Sequence, residues 1–253
     1  MSASYFTDKI GKIASRQLRD FRNITPGMCF GEEGFSLTVD EAYAVQEAVV
    51  NLRVGGGDKV IGYKVGCTGP GTTKLFGMQG PIRGTLFKSE MHSDGSKIKS
   101  NQFCNLAVEA EMAIKVGENG KIASVFPVIE LHNYIFRGSK KSLAELVANN
   151  GFNKGLVVSQ HGWWNSTEHY AKKSTLSLEI NEFEKDIGDL WPLAGGPASS
   201  LDWLSRHLTK NNLVLSEGDI VLGGTALGLH YVQSGESITL KVDGEVATRC
   251  FVK

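Results

Sequence analysis

The chain has 253 residues, enough for one large domain or for a small domain beside a larger one. Hydrophobic residues make up 41% and charged residues 21%, an ordinary balance for a soluble globular protein. Lys plus Arg and Asp plus Glu are both 27, so no basic surplus points to nucleic acid or an anionic membrane, although Lys140 and Lys141 could form a local basic patch.

In chain order, Ile10, Ile13, Ala14, Leu18 and Phe21 recur at helical spacing. Residues 23–34 hold Pro26 and three glycines and read as irregular. Thr38 and Glu41 form a capping box for a helix that runs from Ala42 to Leu52 and stops at Gly55. Lys59 to Val65 is a short strand that enters a glycine-rich loop, 66–71. That loop lacks the terminal Gly-Lys-Ser/Thr of a phosphate loop, so its glycines serve turns or close backbone approach to a ligand.

From Thr85 onward the chain is mostly strand-like. Strands are expected over 107–116 and 123–130, joined by a turn at 117–120. Ser142 and Glu145 form a second capping box, followed by a short helix to Ala148. A short strand covers 156–159, and Leu176, Leu178 and Ile180 alternate as a half-buried strand does. Leu201, Leu204 and Leu208 mark a helix with Ser199 or Ser200 near its cap. Late strands fall at 219–223, 237–242 and 246–252, the last two around an Asp243-Gly244 hairpin turn. Regular βαβ alternation is absent, which argues against a Rossmann or TIM architecture. The expectation is an α+β chain, with a mostly helical N-terminal segment over 1–57 and a largely antiparallel β-rich core over 58–253.

Cys29, Cys67, Cys104 and Cys250 are scattered, a pattern of reduced thiols rather than of a disulfide framework or a zinc site. No apolar stretch approaches the roughly 20 residues that span a bilayer. The first eight residues lack a basic start and an apolar signal core, so a cytoplasmic protein is the default.

The strongest chemical signal is acidic. Glu109 and Glu111 lie two residues apart in an apolar run and share one face of a strand. Glu130 closes a second apolar run, Val125 to Ile129. Carboxylates crowded on one buried face repel, and a divalent cation would make the arrangement favourable. Oxygen donors select Mg²⁺, Mn²⁺ or Ca²⁺ over Zn²⁺. The plainer alternative is that 109 and 111 sit on the solvent face of an edge strand.

Six segments carry a family resemblance. They are Ala42-Tyr-Ala-Val-Gln46, Gly62-Tyr-Lys-Val-Gly-Cys-Thr68, Glu109-Ala-Glu111, Pro127-Val-Ile-Glu-Leu131, Asn150-Gly-Phe-Asn-Lys-Gly155 and Gly218-Asp-Ile-Val-Leu-Gly-Gly224. In this order they resemble the fumarylacetoacetate hydrolase superfamily, in its branch of 2-keto-4-pentenoate hydratases and 4-oxalocrotonate decarboxylases. The resemblance implies a β-rich roll or barrel-like core, with Mg²⁺ or Mn²⁺ held by Glu109, Glu111 and Glu130 and with Lys64 as the active-site lysine. It also implies a small 2-oxo or 2-hydroxy acid substrate, a place in meta-cleavage breakdown of aromatic compounds, and a homo-oligomer that can associate with a pathway neighbour. Hydratase stands first among the activities and decarboxylase second. A non-catalytic metal-binding paralogue or partner subunit is the rival from another class.

The departures bear on the reaction. Ile82 stands where the resemblance leads one to expect a hydratase acid, and Asn133 stands where many relatives have an aspartate. The first histidine is His92, past the N-terminal region where the superfamily's C–C hydrolases place theirs, so hydrolysis lacks its base. Arg83 could bind a second substrate carboxylate or be a solvated loop arginine. His132 shares the face of Glu130 and could neighbour the metal, carry a proton or be structural. Asn153 and Ser159 are further candidates for substrate contact. Cys67 has no His partner to activate it, and His161 with Trp163 and Trp164 reads as loop packing.

Overall fold

The computed structural model describes residues 3–78, 80–168, 170 and 174–253. Two helices open the chain, α1 (Ala3–Arg22) and α2 (Val39–Gly55). Ile10, Ala14 and Leu18 bury the inner stripe of α1, as their spacing predicts. The α2 capping box forms in both directions: Thr38 Oγ1 accepts from the Glu41 amide, and the Glu41 carboxylate accepts from the Thr38 amide. Such a cap is worth about 1 kcal/mol.

The order continues β1 (Val60–Gly66), α3 (Pro70–Phe76), β2 (Ile82–Phe87), β3 (Met91–Ser93) and β4 (Ser96–Ile98). Then come the two long strands β5 (Leu106–Val116) and β6 (Ile122–Asn133), α4 (Leu143–Ala148) and β7 (Asn153–Val158). The chain ends with β8 (Thr175–Ile180), β9 (Phe183–Asp189), α5 (Pro197–Lys210), β10 (Ile220–Leu222), β11 (His230–Tyr231), β12 (Ser237–Val242) and β13 (Glu245–Val252). No described helix is long and apolar enough to cross a membrane.

The strands form two sheets. One has the order β2-β1-β10-β5-β6-β7-β3, with β11 on β5; the other runs β4-β13-β12-β8-β9. Most pairings are antiparallel, while β1–β10, β3–β7 and β4–β13 are parallel. One face of β5, from Val108 through Ala110, Met112 and Ile114, packs with Leu176, Leu178, Ile238 and Leu240 of the second sheet into the main core. The other face looks into the curl of its own sheet. There Leu86, Ala113, Phe126, Val128, Leu156, Ile220 and Leu222 fill one end with apolar side chains. The other end carries the charged residues. β5 and β6 are buried on both faces, so Glu109 and Glu111 lie in a central strand rather than on an exposed edge.

The structure changes four local expectations. At α4, Ser142 Oγ accepts from the Glu145 amide, but the Glu145 carboxylate takes the Arg137 and Gly138 amides instead of closing the box. At α5, neither Ser199 nor Ser200 is the cap, because Pro197 starts the helix early with Gly196 before it. Their hydroxyls donate to the carbonyls of Ala194 and Gly223. α3 begins inside the stretch expected to be only loop. β9, largely exposed at a sheet edge, carries no clean alternation and was not expected.

Candidate active site

The site is built from the register of two strands. Glu109 on β5 pairs directly with Glu130 on β6. Glu111 and His132 lie two residues along their strands on the same face. Lys64 comes from β1, which β10 separates from β5. The sheet curls enough for Lys64 Nζ to donate to Glu130 Oε1 at 2.5 Å, with the Gly151 carbonyl at 3.4 Å. Asn153 Nδ2 donates to the same Glu130 oxygen at 2.7 Å.

Two backbone features make room for this lysine. A Cβ on Gly84 would lie 2.7 Å from Lys64 Cγ and 2.9 Å from the Asn150 carbonyl, so only glycine fits beside the stem. Asn150, Gly151 and Phe152 all have φ near +60°, a run of three left-handed residues that is costly outside glycine. Asn150 ties it down by exchanging two hydrogen bonds with the Thr85 backbone. The turn aims the Gly151 carbonyl at Lys64.

Burial sets the electrostatics. Glu111, Glu130, Lys64 and His132 are almost wholly buried, and Glu109 is half-buried. Burial draws Lys64 toward neutrality, but Glu130, Glu111 and Glu109 outweigh it and hold its pKa above the ordinary lysine value. Burial, then the Glu130 charge, pushes Glu111 well above the usual carboxylate range. Glu130 is held low against its burial by His132 and Lys64. Burial opposes a charge on His132, yet Glu130 and Glu109 raise it to about 9. Three carboxylates thus face one ammonium, a deficit of two positive charges. Protons on Glu111 and His132 make up that deficit, and a divalent cation would do so in their place.

The polar atoms converge without pairing. His132 Nε2 lies 3.0 Å from Glu109 Oε2 and 3.3 Å from Glu130 Oε2, yet neither approach has hydrogen-bond geometry. Glu111 Oε2 and Glu130 Oε2 are also buried without a hydrogen-bond partner. Each such group costs about 1–3 kcal/mol unless something satisfies it. Donor atoms of Glu109, Glu130 and His132 lie within 4.8 Å of one another. A hard divalent cation fits these oxygens.

A cavity of about 300 Å³ opens over this cluster. Lys64, Glu109, Glu111 and His132 line its charged end. Its other walls are Ile82, Phe76, Tyr134, Phe136, Phe152 and Leu227, together with the loops around Thr68 and Thr225. Thr68 Oγ1 donates to the Thr225 carbonyl at 3.3 Å and joins those loops. Burial raises the Cys67 thiol to about 11, so it lines the cavity as an inert group.

The structure brings together Lys64, Glu109, Glu111, Glu130 and His132. Asn153 lies beneath them and holds Glu130 rather than facing the cavity. Arg83 is not brought in. Successive residues of a strand face opposite ways, so Ile82 meets the cavity while Arg83 points behind it to Glu47 at 3.3 Å and lies over Tyr43. Ser159 lies on a separate groove beside Trp164. Asn133 accepts from the Cys104 and Asn105 amides and orders the entry to β5. The aromatic wall was missed in the sequence, where the alternation of Tyr134 and Phe136 just past β6 is its only trace.

No family model matches the chain. It is 22% identical over 218 residues to a 4-oxalocrotonate decarboxylase of a Pseudomonas species, covering 82% of this chain and 84% of that one. It is 24% identical over 216 residues to a 2-keto-4-pentenoate hydratase of Paraburkholderia phymatum, covering 80% and 82%. The solved 4-oxalocrotonate decarboxylase from Pseudomonas putida G7, complexed with magnesium and adipate, superposes with a TM-score of 0.88 at 19% identity over 97% of this chain and 98% of that one. A fumarylpyruvate hydrolase from Pseudomonas aeruginosa, with Mn²⁺ and pyruvate, shares the fold at a TM-score of 0.59 and 16% identity, over 77% and 89%. The chain shares the curled β core of these structures. These likenesses support the branch of 2-keto-4-pentenoate hydratases and 4-oxalocrotonate decarboxylases that the sequence segments resemble.

Proposed function

We propose that this protein is a divalent-metal-dependent lyase of aromatic meta-cleavage metabolism that hydrates a small monocarboxylate of the 2-hydroxypenta-2,4-dienoate type. The observation that carries the reading is the split cavity, with hard donors and an ammonium at one end and an aromatic and aliphatic wall at the other. Glu109, Glu111 and Glu130 would hold Mg²⁺ or Mn²⁺, which supplies Lewis acidity for the negative charge that develops on a 2-oxo acid. Lys64, kept protonated by the carboxylates around it, draws the substrate carboxylate to that end. Glu130 and the Gly151 carbonyl fix where its ammonium sits. The apolar wall takes the carbon chain. Among the described residues that line the cavity, Lys64 is the only Lys or Arg, so a second carboxylate at the apolar end has no Lys or Arg to meet. This favours a monoacid over a diacid such as 4-oxalocrotonate.

A specific observation keeps decarboxylation as the second reading. Ile82 forms the wall at the position expected to hold an acid, which removes a proton donor that water addition would use. Loss of CO₂ needs the electron sink but no activated water. The test is a parallel assay of 2-hydroxypenta-2,4-dienoate and 4-oxalocrotonate, with Mg²⁺ or Mn²⁺ and again with chelator. Metal-dependent water addition is the expected result. Release of CO₂ would install the second reading, and no turnover of either would overturn both in favour of a non-catalytic paralogue.

A further inference from the structure

We infer that His132 is a nitrogen ligand of the cation, and that this chain's site is thereby tuned toward Mn²⁺, Fe²⁺ or Co²⁺ and away from Mg²⁺ and Ca²⁺. The inference rests on the metal-binding part of the proposed function and goes beyond it, because three carboxylates alone make an all-oxygen site. Four observations carry it. His132 follows Glu130 by two residues in β6, so its ring faces the carboxylates. Its side chain is only 5% exposed. Its Nε2 has no hydrogen-bond partner among the described residues. The distances of 3.0 and 3.3 Å to Glu109 Oε2 and Glu130 Oε2 match neighbouring donors of an octahedral ion, which lie roughly 3 Å apart when metal–ligand bonds are about 2.1 Å.

An imidazole changes what such a site prefers. Mg²⁺ and Ca²⁺ take oxygen donors, whereas Mn²⁺, Fe²⁺ and Co²⁺ accept imidazole nitrogen and gain from it. Glu109 and Glu130 would bind through the oxygens that already face Nε2. Lys64 and Asn153 occupy the other Glu130 oxygen, which leaves Oε2 for the ion.

The test is pulsed electron paramagnetic resonance of the Mn²⁺-loaded protein. The expected spectrum shows coupling to one directly bound ¹⁴N, converted to the ¹⁵N pattern when the protein is grown with ¹⁵N-histidine. In His132→Gln the coupling disappears, and the affinity for Mn²⁺ relative to Mg²⁺ drops about tenfold or more. The labelled wild-type protein answers the question even where the variant does not fold. Bound Mn²⁺ without nitrogen coupling would overturn the role of His132 and leave the carboxylate site standing. Coupling that survives in His132→Gln would overturn it too, by assigning the nitrogen elsewhere. Failure of the wild-type protein to bind Mn²⁺ at all would instead remove the metal from the proposed function.

Discussion

Two clusters of charge among the described residues, one half-buried around Arg53 and one buried around Lys64, differ in balance. Around Arg53, the guanidinium bonds Asp58 at 2.8 Å and Glu90 at 3.2 Å and lies 3.5 Å over the Phe87 ring. Lys154 adds a second positive charge that acts on Glu90, so the cluster holds two charges of each sign. Around Lys64, three carboxylates meet a single ammonium, and three polar atoms converge with no hydrogen bond. Burial raises a carboxyl in each cluster, Glu90 in one and Glu111 in the other. A displaced pKa therefore does not separate a structural ion network from a binding site. Unbalanced charge beside a cavity does.

The comparison can be broken in three ways, and the largest effect belongs to the balanced cluster. Arg53→Ala leaves Asp58 and Glu90 without their main partner and is expected to cost about 3–5 kcal/mol, read from the urea midpoint, with turnover per folded molecule unchanged. A variant that kept its midpoint and lost turnover would move Arg53 into the functional machinery. Next, saturating Mn²⁺ at a hundred times its dissociation constant is expected to stabilise the wild-type protein by about 2.7 kcal/mol and Arg53→Ala by the same amount. Thermal melts that ignore the ion would erase the distinction between the clusters. The smallest stability change belongs to Glu111→Gln, since an amide resembles the protonated acid that burial already favours. Its stability without metal should stay within about 1 kcal/mol of wild type, while the Mn²⁺ increment and metal-dependent turnover vanish. A retained increment would remove Glu111 from the ligand set.

Much of this was legible in residue order because it depends on local rules. The Thr38 capping box, the alternation at 176–180 and the Asp243-Gly244 turn are local patterns, and each forms. Glu109 and Glu111 share a face because strands have a period of two, which needs no knowledge of neighbours. What stayed hidden depends on register and curl. Nothing local says that Glu109 pairs with Glu130, or that Lys64 crosses from β1 to reach it. Arg83 and Ile82 are adjacent, and only the placement of β2 decides which one faces the cavity. The left-handed run at 150–152 contains Asn150 and Gly151, which tolerate that conformation, but also Phe152, which rarely adopts it, so composition did not announce it.

β10 has one more consequence, for the order of events during synthesis. This three-residue strand, Ile220–Leu222, is wedged between β1 and β5 and joins the lysine's half of the sheet to the acids' half. The five residues of the charged cluster all precede position 133, yet their bridge arrives almost ninety residues later. A nascent chain stalled before that bridge would carry every metal donor on β5 and β6 and still lack the strand that seats Lys64 beside them. The lysine and the acids are therefore joined through a segment that contributes no residue to the cluster itself.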